Sequence, residues 1–179
     1  GSAAIVAAAL RLAALTLRYR GDVDPQLARL HAENRYVMDY LVNEVISRIP
    51  PAIQDFLIKT SILDLLCGSL CDAVVAAEDR LHQGQAYLQW LAAMDLFTVT
   101  LDEQGHWYRY HHLFQALLRR QLADKLSAHE IETLHRRAGA WYAEHDSLEL
   151  ALEHMLAGSD IPQAVQLVAQ YRHEILNTE

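Results

Sequence analysis

The residues of this chain best suited to chemistry lie between Trp107 and Arg120. An aromatic segment, Trp107-Tyr108-Arg109-Tyr110, runs into His111-His112 and then into Leu113-Phe114-Gln115-Ala116-Leu117-Leu118-Arg119-Arg120. His111 falls where an extended segment enters a helix. The first backbone N–H groups of a helix have no intrahelical partner, and the helix dipole there favours an anion. An imidazole beside them adds one more hydrogen bond, which makes the junction a compact phosphate-sensing point. On pattern alone, a capping or packing histidine is the weightier reading of His111.

Catalytic and metal-binding patterns are missing. No glycines lie close enough to form a phosphate-cradling loop, and Gly-Lys-Ser/Thr occurs nowhere, so the chain carries no Walker A site. A Gly-x-Ser-x-Gly elbow is absent. His129-Glu130 begins a His-Glu-x-x-His pattern, but position 133 is Thr. The ten histidines are scattered and read mostly as surface or helix-edge residues. Cys67 and Cys71 are the only cysteines, four apart in a helical segment. That spacing suits neither a disulfide nor, without two further ligands, a metal. They read as reduced, partly buried thiols of a cytosolic protein. The expectation is a non-enzyme with no catalytic residues, no metal site and no cofactor of its own.

The elements that must position His111 follow from periodicity. Seven Gly, four Pro and a 52% hydrophobic composition favour a mainly α chain with short connections and a real core. Residues 3–48 predict two helices, Ala3–Tyr19 and Asn34–Arg48, joined through Gly21, Asp22 and Pro25. The run Ala3–Leu17 is broken by Arg11 and too short to span ~30 Å of hydrocarbon. Gly1-Ser2 reads as an expression remnant, with the natural chain continuing upstream.

Pro50-Pro51 opens the next region, with helices over Ala52–Lys59, Gly68–Ala77 and Gln83–Met94. Between Phe97 and Tyr110 the period turns to alternation. Phe97, Val99 and Leu101 are expected on one strand face, Asp102–Gly105 in a turn, and His106–Tyr110 on the return strand. Three helices and a two-stranded wing make a winged helix. A helix over Leu113–Leu126 follows, then Ala128–His145, Leu148–Ala157 and Ile161–Leu176. Ser127 with Glu130 reads as a capping box. The spacing of Ala138, Trp141, Tyr142, Ala151, Leu152, Ala164 and Val165 resembles the opening of a helical-repeat solenoid. The expected domains are a helical arm at 1–48, a winged helix at 49–127 and the first repeats at 128–179.

A winged helix raises the question of DNA, and the sequence argues against it. Net charge is −8, and Lys59 and Lys125 are the only lysines. The helix before the wing, Gln85–Met94, carries no Arg or Lys, and the wing tip is Asp102-Glu103.

Several segments together carry a family resemblance: Arg35-Tyr36-Val37-Met38-Asp39-Tyr40-Leu41, Phe56-Leu57-Ile58-Lys59-Thr60-Ser61-Ile62-Leu63, and Trp107 through Leu118. Leu134-His135-Arg136-Arg137-Ala138 and Ala151-Leu152-Glu153-His154 join them. In order and spacing the chain resembles the middle of bacterial MalT-type transcriptional regulators, LuxR-family members of the STAND class of signalling ATPases. The resemblance implies an arm, a winged helix and the first tetratricopeptide-like repeats of a cytoplasmic protein. The P-loop ATPase core and the DNA reader would lie outside this chain.

It further implies that His111 occupies the place of the histidine in a Met-His-Asp motif that contacts the β-phosphate of bound ADP. Tyr110 stands for Met, and His112 stands where the motif has Asp. Implied partners are the ATPase core with its ATP or ADP, a small-molecule or protein effector on the repeats, and further copies of the protein in the active state. No direct DNA binding by this chain and no membrane partner is expected. The competing reading is a helical protein-interaction scaffold with a structural winged helix.

Overall fold

The computed structural model describes Glu44 and residues 46–76, 83–95 and 97–177. The expected helix Ala3–Tyr19 and the Gly21–Pro25 link lie outside the described residues. So does the helix Asn34–Arg48, apart from Glu44 and 46–48. The chain divides into two compact units, 1–54 and 55–179. In the first, Gln54 Nε2 donates to the Ile49 carbonyl at 2.7 Å, closing the turn through Pro50.

Helix α1, Pro51–Thr60, starts on a proline, whose missing N–H costs nothing in the first turn. Phe56, Leu57 and Ile58 are buried. Thr60 is fully buried, yet its hydroxyl is satisfied by the Phe56 carbonyl at 2.7 Å and the Tyr110 hydroxyl at 2.8 Å. The chain then turns through Ser61–Leu66. Leu66 exchanges two backbone hydrogen bonds with Tyr108, each 2.8 Å, so the wing is pinned to this turn.

Helix α2 is Gly68–Val75 and α3 is Gly84–Ala93. Their close approach explains two glycines. A Cβ on Gly84 would sit 2.5 Å from the Gly68 carbonyl oxygen, and one on Gly68 would sit 2.7 Å from Gln85 Cβ. Asp72 accepts the Gly84 N–H at 2.8 Å, which caps α3 from α2.

The wing pairs β1, Thr98–Thr100, with β2, Tyr108–Tyr110, antiparallel in the register Thr98↔Tyr110 and Thr100↔Tyr108. Gly105 takes φ +67 in the turn, and Asp102 accepts N–H groups of His106 and Trp107 at 2.9 and 3.0 Å. One expectation needs correction here. Val99 and Leu101 do share a face, but it is the exposed one, and Phe97 is not on it. Phe97 adopts φ +52, which breaks the alternation before the strand starts, and its ring stacks on Phe114 at 4.8 Å. Thr98, Tyr108 and Tyr110 are the buried wing residues.

Helix α4, His112–Lys125, buries Phe114, Leu118 and Leu122 at helical spacing. Helix α5, Ala128–Glu144, opens with the complete Ser127–Glu130 capping box. It forms a hairpin with α6, Leu148–Ala157, burying Ala138, Tyr142, Ala151 and Met155, and α7 follows over Ile161–Asn177. From Asp55 onward the winged-helix elements and this hairpin fall in the same compact unit, with α5 packed on α2 and Arg137 donating to the Val74 carbonyl at 3.2 Å.

Candidate functional site

His111 is the residue immediately before α4, with extended backbone (φ −60, ψ 134). Its N–H donates to the Phe97 carbonyl at 2.7 Å, and its carbonyl accepts from Gln115 N at 2.9 Å. Backbone bonds on both sides therefore fix where strand becomes helix. The first-turn N–H groups ahead of Gln115 are those a helix leaves without an internal partner.

The side chain of His111 makes no capping hydrogen bond, and its buried Nδ1 atom has no hydrogen-bond partner among the described residues. A capping histidine would have spent that nitrogen on the helix. Burial, then the neighbouring His112 and Arg109, lower the pKa of His111 below its ordinary value. These surroundings favour the neutral imidazole over the charged one.

Tyr110 is 3% exposed and bonded to Thr60, and burial holds its hydroxyl protonated, so it anchors the junction. His112 is exposed, its ring centroid 4.5 Å from that of His111. Trp107 and Arg109 are exposed and alternate with the buried Tyr108 and Tyr110. In α3, Gln85 is already committed to the Gly105 carbonyl at 2.8 Å, leaving Gln89 as the exposed polar side chain of that helix.

Two arrangements were not read from the sequence. Gln115 and Arg119, one turn apart on α4, clamp the turn after α1. Gln115 Nε2 donates to the carbonyls of Ser61 and Leu63 at 3.1 and 2.7 Å. Arg119 Nε donates to the Ser61 carbonyl at 2.8 Å, and its Nη2 reaches Asp64 at 2.8 Å. Gln at i and Arg at i+4 was the available signal, but the partner carbonyls lie more than fifty residues away.

The second is a pair of imidazoles. His135 on α5 and His154 on α6 meet Nδ1 to Nδ1 at 2.9 Å. Each lies on the apolar face of its helix, His135 one turn before Ala138 and His154 one turn after Ala151. Among the described residues no group of three or more His, Cys, Asp or Glu is placed to hold a metal ion. No helix of the described residues is long and apolar enough to cross a membrane.

The family described as the MalT winged helix domain matches residues 42–130. The serine/threonine-protein kinase PknK of Mycobacterium tuberculosis is 35% identical over 164 residues, covering 92% of this chain and 14% of that protein. The HTH-type transcriptional regulator MalT of Klebsiella pneumoniae is 33% identical over 157 residues, covering 86% of this chain and 17% of its own. The MalT of Cronobacter sakazakii is 32% identical over 174 residues, covering 96% and 19%. The chain thus spans between 14% and 19% of the length of these relatives.

Proposed function

Because residues 42–130 belong to the MalT winged helix domain family, we propose that this chain is the regulatory middle of a signal-responsive, ATP-dependent transcriptional regulator. It couples the nucleotide state of a P-loop ATPase core outside the chain to effector sensing on the helical repeats and to self-association. Its domains in this reading are an arm at 1–48, the winged helix at 49–127 and the first repeats at 128–179. The relatives favour a control module over an output module. One is named a kinase and others transcriptional regulators, and they share this segment while differing in the activity their names describe.

The observation that carries the reading is the unpartnered Nδ1 of His111 beside the start of α4. A phosphate of ADP held on the core would accept from this ring and from the first-turn N–H groups together. The negative charge would raise the pKa of His111, so binding takes up a proton. Retention of ADP should therefore strengthen as pH falls through the histidine range. ADP would hold the closed, resting form. Exchange to ATP together with effector binding would move the population to an open, self-associating one. DNA is read elsewhere in this scheme, since α3 offers phosphates no cation.

The test is His111→Ala in the full-length protein, with ADP retention and effector-independent activity as readouts. Faster ADP loss and raised basal activity are expected, and no change in either refutes the assignment. Calorimetry of this chain alone with ADP should give no heat of binding, because one histidine without a phosphate loop does not hold the ligand. A second reading, a protein-interaction scaffold, draws on the exposed apolar residues Leu156, Ile161, Val165 and Val168. It predicts that His111→Ala is silent.

A further inference from the structure

Between the winged helix and the α5–α6 hairpin lies a cleft of about 430 Å³, the size of a small-molecule site. Its walls are apolar, with Ile62 and Leu122 from one side and Ile131 and Leu150 from the other. Its polar groups converge from both sides: Asp64 and Arg119 from the winged helix, His135, Tyr142, Glu153 and His154 from the hairpin.

Each polar group has a legible state. Arg119 is spent on the Ser61 carbonyl and Asp64. The two histidines share one hydrogen bond through their Nδ1 atoms, so one ring must offer a lone pair there. With both rings neutral, one Nε2 is left as an acceptor and the other as an N–H donor. Burial lowers both pKa values, helped by the Arg119 charge at His135 and by His135 at His154, which falls to about 4, so the pair supplies no positive charge at pH 7.

Tyr142 is 3% exposed and lines the cleft. Glu153 makes no ion pair among the described residues. With Asp64 balanced by Arg119, the cleft holds one uncompensated carboxylate, the Tyr142 hydroxyl, a stacked Tyr142–His154 aromatic surface with centroids 5.4 Å apart, and apolar walls. An anion has no free cation to meet. A cation with an apolar body finds a carboxylate, neutral nitrogen and oxygen acceptors, and an aromatic face.

We propose that this cleft binds an organic ammonium ion carrying an apolar body of arylalkylamine size. The site is separate from the His111 junction, and its test does not depend on the nucleotide reading. The ligand would bridge α4 to the hairpin, touching the winged helix and the first repeat helices at once.

The experiment titrates the chain at pH 7 with 2-phenylethylamine, 2-phenylethanol and phenylacetate, which share a body and differ in charge. Binding is followed by calorimetry and by amide chemical shifts. The amine should saturate and perturb amides around Asp64, Arg119, His135 and Glu153. The alcohol should bind about tenfold more weakly, and phenylacetate should not bind. Glu153→Gln, at an exposed position, should weaken the amine about tenfold and leave the alcohol unchanged. The proposal is overturned if the amine does not saturate, if phenylacetate binds as tightly, if the shifts lie elsewhere, or if Glu153→Gln weakens amine and alcohol alike.

Discussion

The Ser61 carbonyl makes a sharp prediction possible, because two side chains of α4 hold it at once. Ser61 is fully buried, and its carbonyl accepts from Arg119 Nε at 2.8 Å and Gln115 Nε2 at 3.1 Å. Arg119→Ala removes one donor to that oxygen, a longer bond from Nη2 to the Ile62 carbonyl at 3.3 Å, and the contact with Asp64. Since Asp64 and Arg119 are both largely exposed, with side chains 75% and 46% accessible, the ion pair adds little. The cost is then mainly the charged hydrogen bond to Ser61, about 1.5 kcal/mol, since the 3.3 Å bond to Ile62 is long. Gln115→Ala removes the 2.7 Å bond to Leu63 and the longer bonds to Ser61 and to the exposed Asp64 carboxylate, about 1 kcal/mol. In either single variant the Ser61 carbonyl keeps a partner. The double variant orphans it, which adds a desolvation cost of about 1 kcal/mol that neither single change contains.

Urea denaturation of the four proteins should therefore show the double change costing about 1 kcal/mol more than the sum of the singles, outside the ~0.5 kcal/mol scatter of independent sites. Arg119→Lys separates charge from geometry. It keeps the cation but not the Nε–H, so it should be nearly as destabilised as Arg119→Ala. Additive or sub-additive singles, or rescue by lysine, would refute the shared-carbonyl argument.

Three further outcomes are expected. Gly84→Ala places a Cβ 2.5 Å from the Gly68 carbonyl, so α2 and α3 must separate, and thermal unfolding should register a loss of about 1–3 kcal/mol. A variant as stable as the parent means that the two helices do not touch as described. Ser127→Ala should destabilise by about 1 kcal/mol at pH 7 by removing the cap of α5. The backbone N–H of Ser127, then its hydroxyl, lower the pKa of Glu130. A depressed carboxylate stabilises above its unfolded pKa and loses this as pH falls through the folded one, so the gap between parent and variant should narrow in acid. For His154 the sign is the same, although the group is a base whose neutral form is the one buried. Burial lowers its pKa from 6.5 to about 4, so over that interval the unfolded chain binds the extra proton and stability declines with falling pH. His154→Gln should flatten the decline in the urea midpoint between pH 7 and pH 5, and parallel curves would contradict the burial of a neutral imidazole.

Helix periodicity, Pro50-Pro51 and the Ser127–Glu130 box are local signals, and they made the described helices legible to within about two residues. The wing was legible as a turn with flanking alternation, but not its inner face. Alternation by itself does not say which face is buried, and the positive φ of Phe97 shifts the phase at the strand's entry. His111 stood out because a strand-to-helix junction marks a special backbone position. His135 and His154 did not, because each sits singly on an apolar face and only the hairpin geometry brings them to 2.9 Å. The Gln115–Arg119 clamp was hidden for the same reason, since its acceptors are backbone carbonyls, and these leave no trace in residue identity.

Helix α4 connects what these local signals left apart. Its first turn lies beside His111, and two turns on it presents Arg119 to the cleft, eight residues or about 12 Å along one rigid helix. Tyr110 and Phe114, edge to face at 5.8 Å, fix its start to the wing, and the Arg119 clamp fixes its middle to the turn after α1. A phosphate held at the start of α4 and an ammonium ion held beside Arg119 would thus bear on one element. If each prefers a different placement of α4, linkage requires that the factor by which the amine changes ADP affinity equal the factor by which ADP changes amine affinity. In the full-length protein both factors are measurable by titrating each ligand in the presence of the other. Equal factors different from one would make α4 the shared element. Factors of one would leave two independent sites on the same helix.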